Sequence, residues 1–242
     1  MNLRNTDFGN PVTGVTDSAI SKTFMSNVFS WMSLALVVSG VFAYMFGTSM
    51  DLMSYIYNMQ TGRMNMFGYL ALFGPFILVM VMGMRFAKLS YGNMVILFAI
   101  FSALMGISLS SIFVIYKMSS IAQVFFITAG TFGSMALVGY TTKTDLTKFG
   151  SLLYMALIGI IIAFVVNWFM HSAALEFGIS ILGVLIFTGL TAYDVQKLKR
   201  IAQGIEYQDA TTNKLVIMGA LTLYLDFINL FLFLLRIFGN RK

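Results

Sequence analysis

Residues 215–238 read LVIMGALTLYLDFINLFLFLLRIF, an apolar run from Leu215 to Phe238 with one acid, Asp226, near its middle and one base, Arg236, near its end. A helix rises 1.5 Å per residue, so about 20 residues cross a hydrocarbon layer of roughly 30 Å, and this run is long enough. Six similar runs precede it, at Met25–Phe46, Met66–Met84, Asn93–Ile115, Ile121–Tyr140, Phe149–Met170 and Ala174–Val195. A membrane β-barrel would instead show short alternating segments. The longest gaps, Gly47–Asn65 and Gln196–Lys214, span 19 residues each and leave no room for a soluble domain. The expected fold is an all-α membrane protein. A polar segment, residues 1–24, precedes a domain of seven transmembrane helices, residues 25–242.

Composition supports that reading and excludes others. Of 242 residues, 59% are hydrophobic and 10% charged, against about 25% charged in a soluble domain; mean hydropathy is +0.86. A soluble fold of this size could not hide so much apolar surface. With no Cys and a single His, disulfides, thiol nucleophiles and histidine-paired metal sites are excluded. The net charge of +6 is read as basic loops facing an anionic lipid leaflet, not as a nucleic-acid surface. Met1–Asn27 lacks the basic start and short apolar core of a signal peptide. Thr16-Asp17-Ser18 reads as a helix start, since short side-chain oxygens cap free N–H groups.

With seven spans, 10 Lys and Arg fall on one side (Arg4, Lys22, Arg85, Lys88, Lys143, Lys148, Lys197, Lys199, Arg200, Lys214) and 5 on the other (Arg63, Lys117, Arg236, Arg241, Lys242). The basic side is normally cytoplasmic, which puts the N-terminus inside and the C-terminus outside. The stripe Ser102-x3-Gly106-x3-Ser110 and the small residues Ala129, Gly130, Gly133, Ser134, Ala136 and Gly139 read as close helix packing in lipid.

The ionisable residues inside the spans carry the chemistry. Glu176 and Arg236 lie near span ends and are read as interfacial. Asp226 lies mid-span, where an acid costs about 2.5–3.5 kcal/mol on insertion scales and marks an interior or wet pathway more often than lipid. Asp194 ends the sixth run on the adjacent antiparallel helix; a plain ion pair with Lys197 is the competing reading. Arg85 ends the second helix on the same side. Two carboxylates meeting in a low-dielectric site do not both ionise readily and share a proton. They offer hard oxygens to Ca2+, but too few for a tight cage of 6–8 ligands.

The string Leu223-Tyr224-Leu225-Asp226-Phe227-Ile228-Asn229-Leu230-Phe231, with Leu234-Leu235-Arg236-Ile237 behind it, closely resembles the C-terminal signature of the Bax inhibitor-1 family, the transmembrane Bax inhibitor motif proteins. Phe187-Thr188-Gly189-Leu190-Thr191-Ala192-Tyr193-Asp194-Val195-Gln196 resembles the family's sixth-helix Tyr-Asp-x-Gln element. Phe24-Met25, Val28-Phe29 and Trp31-Met32 resemble its first helix. The similarity runs from about Thr23 to Gly239. It implies two three-helix layers around a central seventh helix, and a pH-sensitive calcium leak controlled by an aspartate pair at Asp194 and Asp226. It further implies a closed-state lock by an Arg at the end of the second helix, matched here by Arg85. Thr222 and Asn229 are candidates for auxiliary polar groups. The second helix has no acid, so any carboxylate that relatives draw from it is missing. No cofactor is implied; Ca2+ is the permeant ion, and the expected partners are the lipid bilayer, Ca2+, protons and, by analogy with some bacterial relatives, a membrane protease. The expected location is the bacterial inner membrane.

The rival reading is a regulator that restrains a membrane protease and transports nothing. An enzyme is not expected. Asp226 sits in Tyr-Leu-Asp, not the Gly-x-Gly-Asp of an intramembrane aspartyl protease. Leu215–Phe238 has no Lys for a retinal Schiff base, and the one His, His171, stands at a helix end beside Ser172.

Overall fold

The computed structural model describes residues 12–58, 60–205 and 210–242. Among them are nine helices and no strand: α1 Val12–Thr48, α2 Met50–Ile56, α3 Met66–Met84, α4 Tyr91–Leu109, α5 Ser111–Ile115, α6 Met118–Thr141, α7 Thr147–Met170, α8 Ala173–Gln203 and α9 Ala210–Phe238. Seven stretches are long and apolar enough to cross a membrane, with α4 and α5 forming one of them.

Three details depart from the sequence reading. The helix of the first span is already under way at Val12, ahead of Thr16-Asp17-Ser18; Pro11 precedes it in sequence, a residue suited to a helix start and not to its interior. The third run breaks at Ser110, whose N–H bonds the Ile107 carbonyl three residues back and whose hydroxyl takes the same carbonyl at 2.7 Å. That local competition for a backbone acceptor explains why an uninterrupted apolar run carries a helix boundary. Finally, α8 runs eight residues past Val195 and α9 starts five before Leu215; in the α8 extension Gln196, Lys199 and Arg200 are bonded to the α6–α7 region.

α9 is the central helix: 67% of its spanning stretch is buried, against 11% in α7 and 39% or less in the other spans. It packs on α1, α4, α6 and α8, whereas α3 rests mainly on α2 and α4, and α7 on α8. Close crossings depend on missing side chains at two places. A β-carbon on Gly106 would collide with the Ser39 backbone, and one on Gly139 with the Ala192 carbonyl. The first crossing sets Ser39 Oγ 2.7 Å from the Ser102 carbonyl and 2.6 Å from the fully buried Tyr224 hydroxyl, joining α1, α4 and α9. The second presses α6 against α8 two residues before Asp194.

Candidate functional site

Asp194 comes from α8 and Asp226 from α9, the hairpin pair that packs together. They are 2% and 5% exposed, and both line one cavity. No amide, hydroxyl or cationic group donates to the buried Asp226 Oδ2. Because α8 continues nine residues beyond Asp194, that residue lies about 13 Å inside the helix end and not at its edge. Lys197 forms no direct salt bridge with Asp194, though its charge acts on that carboxyl; the Tyr154 hydroxyl of α7 donates to Oδ1 at 3.3 Å and Oδ2 at 3.4 Å. The Tyr154 ring stands edge-on to Tyr193 at 6.0 Å.

The pair opens into a cavity of about 410 Å³ between α3, α7, α8 and α9, walled by Phe76, Leu157, Leu190 and Phe233 and also lined by Thr222 and Asn229. Thr222 and Asn229 spend one hydrogen bond each on their own helix, to the Met218 carbonyl at 3.0 Å and the Leu225 carbonyl at 2.8 Å. Thr222 Oγ1 and Asn229 Oδ1 keep acceptor capacity. Two more hollows follow α9, one in each direction. A cleft of about 110 Å³ at Leu215, Met218 and Gly219 shares Asp194 and Thr222 with the cavity. A vestibule of about 900 Å³ at Leu232, Leu235 and Arg236 shares Phe164 with it. The Arg236 guanidinium lies 4.8 Å over the Phe164 ring and 5.8 Å over Phe233, between cavity and vestibule. Among the described residues no cluster of three or more His, Asp and Glu forms, so the oxygen donors at the cavity are the two carboxylates and neutral groups.

Arg85 is not brought to this site. It follows the last residue of α3, is exposed, and makes no ion pair with either aspartate. The buried cation at that helix end is Lys214 of α9, which reaches the Phe86 carbonyl.

Other polar residues brace the frame. Gln196 accepts from the Leu146 N–H at 2.9 Å and donates to the Thr144 carbonyl at 2.8 Å, holding the α6–α7 turn. That gives the Gln of the Tyr-Asp-x-Gln element a structural task. Arg200 meets Asp145 at 2.6 Å on the same turn. Hydrogen bonds from the Thr147 hydroxyl and backbone N–H, and then from Arg200, hold the Asp145 carboxyl well below the usual carboxylate range.

The sequence reading missed Tyr154 and Lys214. A phenol amid the apolar residues of the fifth run was the available signal for Tyr154. Lys214 was counted only as a loop charge because it stood one residue outside the apolar run.

Comparison with known proteins places these residues in company. The family model described as "Inhibitor of apoptosis-promoting Bax1" matches residues 21–242. The chain is 46% identical to the inner membrane protein YbhL of Escherichia coli K12 over 91% of this chain and 93% of that one. It is 47% identical to an uncharacterized protein of Borreliella burgdorferi, covering 92% and 94%, and 42% identical to one of Rickettsia prowazekii, covering 91% of each.

Proposed function

The chain belongs to the Bax inhibitor-1 family, and on that premise we propose that it is a multi-pass inner-membrane protein that leaks Ca2+ under the control of protons. The observation that carries the reading is the buried Asp194–Asp226 pair on the wall of a cavity in line with two further hollows along α9. Paired carboxylates attract a divalent cation, yet fall well short of the 6–8 oxygens of a tight calcium site, which suits passage over storage. Protons and Ca2+ compete for the same four oxygens. Protonation also weakens any charge-assisted bond the pair makes to a cationic side chain. Arg85 acts as the closed-state lock by pairing with ionised Asp194 while α3 stays over the cavity, and acidification shifts the population away from that pairing. The shift is limited to the differential proton affinity of the two states. The Lys and Arg distribution favours a cytoplasmic N-terminus and an external C-terminus.

The test is calcium flux in proteoliposomes of the purified protein at pH 6, 7 and 8, beside protein-free liposomes. The expected result is flux above the protein-free level that rises on acidification. Flux indistinguishable from protein-free liposomes at all three pH values would overturn the leak and favour a regulator of another membrane protein, such as a protease.

A further inference from the structure

The α8–α9 hairpin grips two neighbouring helices with the same device. Lys199 of α8 donates to the Tyr140 carbonyl at 2.7 Å and lies 4.8 Å over the Tyr140 ring, at the C-terminal end of α6. Lys214 of α9 donates to the Phe86 carbonyl at 3.1 Å and lies 4.8 Å over the Phe86 ring, just past the end of α3. In each case an ammonium meets the negative end of a helix dipole, and the aromatic residue supplies both the acceptor and a ring face. Lys214 is the more demanding of the two. It is buried, and it sits in the second turn of its own helix, where the dipole disfavours a cation. A buried ammonium needs partners, and the end of α3 provides them.

The two grips differ in what else holds the helix. α6 packs broadly on α8 and α9, and its following turn is held by Gln196 and Arg200. α3 rests mainly on α2 and α4, and a hydrogen bond from Lys214 ties Phe86, just past its end, to α9. α3 also contains Pro75, which removes an amide donor mid-helix and is a usual kink point. Phe76, the next residue, lines the cavity that holds Asp194 and Asp226. The segment Phe76–Met84 thus follows a candidate joint at Pro75, is packed on the core through Met82, and is tied to α9 by Lys214 just past its end.

We infer that Lys214 is a positioning residue that fastens α3 over the aspartate cavity, and that releasing it opens the cavity at the face carrying Arg85. The inference rests on the proposed function only in treating access to this cavity as what is gated.

The test exploits the absence of Cys. Leu190→Cys places one thiol on the cavity wall, at a position 1% exposed in this structure, and leaves α3 untouched. In the full chain in liposomes, a membrane-impermeant maleimide is applied at the face carrying Arg85. Lys214→Met in this background is expected to raise the labelling rate about tenfold, the scale of one charge-assisted bond. Lys214→Arg should stay within about twofold of the parent, as should Lys199→Met. Phe86→Leu, which keeps the carbonyl and removes the ring, should give about a threefold rise, and it decides the matter if Lys214→Met does not fold. Unchanged labelling in folded Lys214→Met, or in Phe86→Leu where Lys214→Met fails to fold, overturns the inference. So does an equal rise in Lys199→Met, or a failure of Lys214→Arg to restore the parent rate. Calcium flux measured in parallel separates the two proposals: labelling that follows Lys214 with no flux in any variant keeps the fastening and sinks the leak.

Discussion

α7 and α9 differ most where hydropathy alone would rank them the wrong way round. α7 is the most apolar span and the least buried, with 11% of its stretch inside the protein; α9 is less apolar and 67% buried. In water the most apolar helix seeks the core. In lipid the surroundings are as apolar as Leu, and burial goes to the helix whose small and polar groups find partners in the bundle. α9 has Tyr224 on Ser39 and Lys214 on Phe86, and its Asp226 lines a cavity with Asp194. α7 turns residues such as Ile158, Ile162 and Phe169 outward and gives the site one hydroxyl, from Tyr154.

The largest expected contrast is in stability. Leu230 of α9 is fully buried and Ile158 of α7 is 59% exposed. Leu230→Ala should cost about 2 kcal/mol, the cavity part of a large-to-small change, since transfer to lipid replaces transfer to water. Ile158→Ala should cost less than about 0.5 kcal/mol. Unfolding in detergent or mixed micelles measures both, and equal costs would break the comparison.

A smaller effect is expected where α7 reaches the site. Tyr154→Phe removes a long hydrogen bond to Asp194, worth about 0.5–1.5 kcal/mol, and should change calcium flux between about two- and tenfold. The same change in an Asp194→Asn background should have little further effect if the phenol acts through that carboxylate. A full effect in both backgrounds would assign Tyr154 a separate role.

The smallest effect concerns the turn between α6 and α7. The folded-state pKa of Asp145 is depressed, by Thr147 first and Arg200 after it. Its contribution to stability is therefore present above the ordinary carboxylate range near pH 4 and lost only as pH falls below it. Its charge is constant between pH 6 and 8. Asp145→Asn should leave the pH response of flux unchanged over that interval, and a shifted midpoint would move the sensor out of the bundle.

The seven spans were legible because span length is set by bilayer thickness; Asp226 was singled out as a mid-span acid, and it lies buried on a cavity that Asp194 also lines. The central position of α9 was not visible in its hydropathy; only the resemblance to a family implied it. The end of the sixth-span helix was misjudged, since α8 continues through Gln196, Lys199 and Arg200, all bonded to the α6–α7 region. Chain position suggested Arg85 for the end of α3, yet the residue tied there is Lys214, brought by a helix more than a hundred residues later. The break at Ser110 escaped notice because a serine inside an apolar run is equally compatible with an unbroken helix.

The most direct test of the central claim is proton-dependent calcium flux through the aspartate pair. Wild type, Asp194→Asn, Asp226→Asn and the double variant are compared in liposomes at pH 6, 7 and 8, with folding checked by monodispersity. Wild type should respond to pH. Asp194→Asn should leak more at neutral pH with a flattened response, and Asp226→Asn should pass less calcium throughout. The double variant should show no pH response. A folded double variant that keeps the wild-type response would contradict the account, because no proton on either carboxyl could then be the signal.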